Sequence, residues 1–322
     1  MKSLHHIIRL HTALDLLDEG LALYRRDFAG FVLIAATWLT PLAIALGLFI
    51  GFADRLGDLL IGLLLLVGAF LALPLTVYLI GGLSRGASAA IDGRPVRLRE
   101  ALAIGPGRVL SAGCFTLVYS LIVQIASAAL SFICICPLYV IGIAVSAILA
   151  TAANGAGGGA ILLALVGLLF GGVYLLALIV GGAGYGSLFY ALQPWVQERL
   201  TFAQAMERSV DMVVFRFRSN LVAWALSALL VAAAGVSVSL AVGLLAPLPA
   251  LLLLGAESPV AQAIASGAWL LGLVLVLPPL PIWMTLLYRR NLAARNGADL
   301  EQRVVVWARE MGIENSAAGS GD

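Results

Sequence analysis

From Val109 to Gln197 the chain carries no Asp, Glu, Lys or Arg. A fold bathed in water needs charged residues on the outer side of nearly every helix or strand, so a run of this length belongs in hydrocarbon. Shorter charge-free blocks run over Phe28–Ala53, Leu59–Ser84, Ser219–Ala256 and Ser258–Tyr288. Crossing about 30 Å of hydrocarbon takes about 20 apolar residues. Each block is long enough, and the longest holds two crossings. Hydrophobic residues make up 62% of the 322 positions and charged ones 11%, with a mean hydropathy of +1.05. Soluble domains carry about 25% charged residues. The sequence therefore predicts an all-α fold, a polytopic integral membrane helical bundle of six transmembrane helices. The spans fall at about 28–53, 59–84, 109–135, 161–193, 219–247 and 259–288.

The arginines give the orientation. Residues 1–27 contain Lys2, Arg9, Arg25 and Arg26, and the segment after the second span contains Arg85, Arg94, Arg97, Arg99 and Arg108. Arg199, Arg208, Arg216 and Arg218 follow the fourth span, and Arg289, Arg290, Arg295, Arg303 and Arg309 follow the sixth. The opposite side has Arg55 as its one cation, beside Asp54, Asp58 and Glu257. The positive-inside rule makes the arginine-rich side cytoplasmic, with both termini on it. Lysine occurs once, at Lys2, which points to a GC-rich bacterial genome and hence to a bacterial inner membrane. The first apolar run follows a charged segment and is too long for a signal peptide, so it reads as a retained span. The organisation expected is a cytoplasmic amphipathic segment over 1–27, a six-span domain over 28–290, and a cytoplasmic tail over 291–322 with an amphipathic helix and a disordered end.

Within the longest block, 137–150 is apolar but short, and Asn154–Gly159 breaks any helix. Fourteen helical residues reach about 21 Å, so this piece is expected to be a separate outer-face or re-entrant helix.

Three short segments resemble one another. Leu17-Asp-Glu-Gly-Leu21, Leu98-Arg-Glu-Ala-Leu102 and Phe202-Ala-Gln-Ala-Met206 share one pattern: apolar, polar, Glu or Gln, small, apolar. Phe28, Val109 and Val213 lie seven residues beyond each, at or near the start of a span. The layout predicts a threefold internal repeat of interfacial helix plus helical hairpin. Thr201-x-x-Gln204 is a capping box, and Phe202, Ala205, Met206, Ser209 and Val210 fall on one helical face, Ser209 being its weak member. Glu19, Glu100 and Gln204 recur at equivalent places, and helix-start capping accounts for them.

After the last span comes Leu287-Tyr288-Arg-Arg-Asn-Leu-Ala-Ala-Arg295-Asn-Gly297-Ala-Asp299-Leu-Glu301. It resembles the Leu-Tyr-Tyr-Asp-Leu-Arg-x-Arg-x-Glu-Gly-x-Asp-Leu-Glu ending of bacterial membrane proteins related to the membrane domain of glycerophosphoryl diester phosphodiesterases. Here Arg289 and Arg290 replace Tyr-Asp, and Asn296 replaces Glu. The resemblance implies a multi-span membrane protein and assigns no activity, since the chain has no phosphodiesterase barrel. Downstream, Leu300, Val304, Trp307, Ala308 and Met311 form one apolar stripe with Arg303 and Arg309 nearby, which reads as an interfacial helix.

No residues group into a nucleophile–base pair, a paired-carboxylate site, a phosphate loop or a metal-ligand cluster. His5, His6 and His11 read as solvated surface. Cys114, Cys134 and Cys136 lack metal or redox spacing and read as small buried membrane residues. Gln124 is expected to face another helix, as a side-chain amide in lipid needs a partner. Gly167-x-x-x-Gly171 and Gly182-x-x-x-Gly186 suit close helix packing, within the chain or in a dimer. Pro41, Pro74, Pro278, Pro279 and Pro281 are expected to kink their helices. The sequence thus predicts a non-enzymatic scaffold or accessory subunit without cofactors or metal. Its partners would be membrane lipids and a protein partner or second copy, with no nucleic acid. Arg97, Arg99, Arg208, Arg303, Trp307 and Arg309 would make the membrane-surface or partner contacts. An ion-independent permease or lipid-handling protein is the alternative, because ion coupling would need ionisable groups at depth.

Overall fold

The computed structural model describes residues 2–52, 57–152, 158–198, 200–255 and 257–297. The Asp54–Arg55 turn, most of Asn154–Gly159, and the tail stripe with Arg303, Trp307 and Arg309 lie outside the described residues. So do the side chains of His5, His6, His11 and Cys134. All regular structure among the described residues is helical, in the order α1 (Lys2–Arg26), α2 (Phe28–Phe52), α3 (Asp58–Ile91), α4 (Leu98–Ala101), α5 (Pro106–Ala152), α6 (Gly158–Ala191), α7 (Gln193–Gln197), α8 (Phe202–Val214), α9 (Phe217–Leu245), α10 (Leu248–Leu254), α11 (Pro259–Val276) and α12 (Pro279–Arg295).

Five stretches among the described residues are long and apolar enough to cross a membrane: Phe28–Gly51, Pro106–Ala129, Val166–Gln197, Phe217–Leu254 and Pro259–Arg295. The remaining expected span falls on α3, a single helix of 34 residues with a shorter apolar stretch at Leu59–Gly68. The separate helix expected at 137–150 does not form. It continues α5, which runs unbroken for 47 residues through Pro137. A proline inside a helix removes one hydrogen bond, but in an apolar setting the chain gains more by keeping the remaining backbone groups paired than by stopping.

The long helices close into a ring. α2 packs against α3 and α11, α11 against α9, α9 against α6, α6 against α5, and α5 against α3. Small residues set the closest approaches. A Cβ on Gly182 would stand 2.5 Å from Ala228 Cβ, and one on Gly186 would stand 2.9 Å from Trp224 Cβ, so this glycine pair packs α6 on α9 within the chain. Gly167 and Gly171 have open space instead.

α12 leaves the ring and fills its axis at the arginine-rich end, where it packs against α1, α3, α6 and α9. The residues from Pro279 to Tyr288 are all buried. The break between α11 and α12 comes from Pro278, Pro279 and Pro281, which lack the N–H groups that carbonyls four residues earlier would accept from. The Tyr24 hydroxyl of α1 donates to one of them, Leu275 O, at 2.8 Å. Burial pushes the Tyr24 phenol up to about 12, so it keeps the proton it donates. Trp283 Nε1 donates to Leu17 O at 2.9 Å, and its ring lies where a Cβ on Gly20 would be. α1 is thereby clamped to the axial helix.

Two further expectations are corrected. Gln124 is exposed, on an outward face of α5 beside Leu121 and Ile125, because the α5 side turned to α6 is taken by Tyr119 and Val123. Cys114 and Cys136 are also exposed on the bundle surface rather than buried.

Candidate functional site

Three helices, α3, α7 and α12, deliver polar side chains to the axis at the arginine-rich end. Ser84 of α3, Gln193 at the start of α7 and Thr285 of α12 are all fully buried. Gln193 Nε2 donates to Ser84 Oγ at 3.1 Å and to Phe189 O at 3.0 Å. Its Oε1 accepts from Gln197 Nε2 at 2.6 Å and from the Thr285 hydroxyl at 3.1 Å, a proton that Thr285 shares with Pro281 O. All four positions of one amide are thus used, the condition under which a buried amide stabilises rather than costs.

A second polar layer lies closer to the end. Asn291 Nδ2 of α12 donates to Tyr190 Oη and to Asn220 Oδ1, each at 2.8 Å. Asn220 Nδ2 donates to Phe215 O at 2.7 Å, supplying one of the carbonyls left open where α8 stops. The turn there passes through Arg216 at φ 53, a left-handed conformation unfavourable for a side chain with a Cβ. Asn220 holds that turn and ties it to the axial helix.

Ion pairs form the outermost layer, and those that link distant helices through α12 come with one hydrogen bond from its tyrosine. Tyr288 donates to Glu198, Arg289 pairs with Asp92 at 2.5 Å, Arg290 with Glu19, and Arg295 with Asp211 at 2.8 Å. Glu19 therefore pairs across helices in the middle of α1 rather than capping a helix start. Of the recurrent Glu/Gln positions, Gln204 caps: its Oε1 accepts from the Thr201 backbone N–H at 3.2 Å. Ser209, read from the sequence as the weak member of its stripe, is the buried anchor of α8, its hydroxyl 2.7 Å from Ala191 O. Phe202 and Val210 face outward instead.

α3 ends in a turn that shapes a crevice. Gly93 takes φ 71, its N–H donating to Ala90 O and that of Arg94 to Ala89 O, the Schellman arrangement that glycine accommodates without Cβ strain. The turn sets Asp92 and Arg94 on the wall of a crevice of about 650 Å³ between α3, α4, α7 and α12. Arg85, Arg97, Arg108 and Arg289 also line it, with Glu100 and Glu198. The Arg289 hydrogen bond holds the Asp92 carboxyl below its ordinary value, with help from Arg94 and against partial desolvation. A carboxylate with a depressed folded pKa adds stability that is present above its unfolded pKa and lost as pH falls through the folded value. The α3–α12 contact should therefore weaken only below about pH 4. Asp92→Asn should lower the thermal midpoint at pH 7 and flatten its fall in acid. A variant with an unchanged acid limb would show that other carboxylates carry it.

Of the residues expected to make surface contacts, Arg97 lines the crevice and lies 3.3 Å from Glu100. Arg99 is exposed on α4 outside it. Arg208 is half-buried, its Nε 4.0 Å from Glu198. Sequence reading missed Ser84, Gln193, Asn220, Thr285 and Asn291, single polar groups within helices or at their ends. It also took Arg289 and Arg290 as orientation signals, whereas both are paired.

No family model matches the chain, nor does any curated protein or solved structure. Fold and site define an all-helical protein with several helices long and apolar enough to cross a membrane, and a wired polar cluster at one end of the bundle.

Proposed function

We propose that this chain is a six-span protein of a bacterial inner membrane, with both termini cytoplasmic, that serves as a non-enzymatic scaffold or accessory subunit. The observation carrying this reading is α12. The axis a transported solute would use is filled by that helix and bridged by Ser84, Gln193 and Thr285. The arginine-rich end is braced by pairs from α12 to α1, to α8 and to the end of α3. A braced, axially closed body suits holding a partner in place, whereas alternating access needs one half to rock against the other.

Three features favour the six-span, threefold plan. α3 supplies the sixth member of the ring. The three hairpins follow one another around it, and the second helix of each, or the helix that directly follows it, contributes one member of the buried triad. The resemblance of the Leu287–Gly297 stretch to the phosphodiesterase-related membrane family also fits a multi-span protein. For topology, single cysteines at Glu257 and Arg99 go into a chain lacking Cys114, Cys134 and Cys136. The Glu257 position should react with an impermeant reagent on spheroplasts and the Arg99 position only after lysis. The reverse labelling would invert the orientation.

A lipid-handling role is the second reading, favoured by an apolar furrow of about 930 Å³ between α2 and α11 lined by Ala43, Gly47, Gly51 and Gly267. Mild-detergent purification with mass spectrometry, run beside reconstitution into vesicles, separates the two. A stoichiometric protein partner without lipid or solute flux is expected. Reproducible flux by the purified chain, reduced by Gly47→Leu, would replace the scaffold reading with the lipid-handling one.

A further inference from the structure

We propose that the arginine-lined crevice is a binding site for a phosphate group. Five guanidinium groups and three carboxylates line it, a surplus of two positive charges. The surplus has an address. Arg94 and Arg289 share one carboxylate, Asp92, at 2.9 and 2.5 Å. Arg97 pairs with Glu100, and Glu198 is engaged by Tyr288 and, at 4.0 Å, by Arg208 from outside the crevice. Among the described residues, Arg85 and Arg108 have no carboxylate partner. Arg85 is held by Ala103 O and Arg108 by Glu198 O at 2.9 Å, both backbone carbonyls. A carbonyl fixes a guanidinium in place without neutralising its charge, and most of its five N–H donors stay free.

Two fixed, uncompensated guanidinium groups on one concave wall match the several acceptor oxygens of a phosphate better than the two of a carboxylate. Ser88 lines the same wall, and its buried Oγ has no hydrogen-bond partner among the described residues. A volume of about 650 Å³ takes a phosphorylated headgroup with room for water. The inference rests on the proposed orientation for the crevice's place at the inner surface, and is independent of the scaffold role.

The test uses the full chain in maltoside micelles. Native mass spectrometry measures retention of phosphatidylglycerol against diacylglycerol, which lacks the phosphate, and calorimetry measures binding of inorganic phosphate against chloride. Arg85→Gln/Arg108→Gln should weaken binding at least tenfold, and Arg85→Lys/Arg108→Lys should restore part of it. Arg99→Gln/Arg218→Gln, which removes two exposed charges outside the crevice, should change it less than threefold. Retention of phosphatidylglycerol alone assigns the phosphate to a lipid headgroup, and binding of free phosphate without lipid preference assigns it to a soluble ester. If the Gln pair does not fold, the exposed Arg94→Gln/Arg97→Gln pair should still weaken binding at least threefold. Equal loss in the Arg99/Arg218 control, or no wild-type preference over diacylglycerol and chloride, overturns the proposal. Neither result bears on flux or on a copurifying partner, so the scaffold reading stands or falls separately.

Discussion

Trp283→Ala should lower the thermal midpoint of the purified protein by on the order of 10 °C. Trp283 is 2% exposed and sits where α12 meets α1, its ring against Gly20 and its Nε1 donating to Leu17 O. Truncating a buried tryptophan costs about 3–5 kcal/mol, from lost contacts and the cavity left behind. In a membrane bundle that term matters more than usual, because apolar transfer adds little between helices and packing supplies most of the association. Gly20→Val attacks the same contact from the other side. A Cβ there would stand 2.6 Å from Trp283 Nε1, so the helices must separate. The two changes in one chain should cost less than their sum, since the valine enters space the indole vacated. The measurement is the fraction remaining monodisperse after heating, read by size-exclusion chromatography. A loss below about 1 kcal/mol for Trp283→Ala would mean that α1 is not docked on the axis.

Much of this architecture was legible because hydrocarbon imposes simple rules. Charge-free blocks became long helices, and the Thr201–Gln204 box marks where α8 starts. What was not legible came from relations between distant segments. Pro278, Pro279 and Pro281 announced a kink, but nothing local shows that the broken helix moves to the axis, which depends on Tyr24 of α1 reaching Leu275 O. Pro137 looked like a boundary by the same rule and is spanned by α5. The deciding difference is the partner. Beyond Pro278 the chain finds α1, α3, α6 and α9 to pack on, whereas Pro137 is exposed, with Tyr139 beside it packed on Phe170 of α6. Arg289 and Arg290 satisfied the positive-inside rule so fully that their pairing with Asp92 and Glu19 left no separate trace. Ser84 and Thr285 are too common in membrane helices to stand out until Gln193 is seen between them.

That triad gives the second large effect. Gln193→Leu should cost about 2–3 kcal/mol, more than one interhelical hydrogen bond in a membrane protein usually carries. The leucine fills most of the volume, so the cost is mainly polar. The Ser84 hydroxyl loses its donor and Gln197 Nε2 its acceptor, while Thr285 keeps Pro281 O. Buried polar groups left without partners are penalised for desolvation, whereas removing both ends of a bond is close to neutral. Gln193→Leu/Ser84→Ala/Thr285→Val should therefore be more stable than Gln193→Leu alone by at least about 1 kcal/mol, despite carrying three changes. Melting both variants beside the wild type in the same micelles reads this directly. A triple variant weaker than the single one would mean that the three side chains contribute independently, and that the axis is held by packing around α12 rather than by the network.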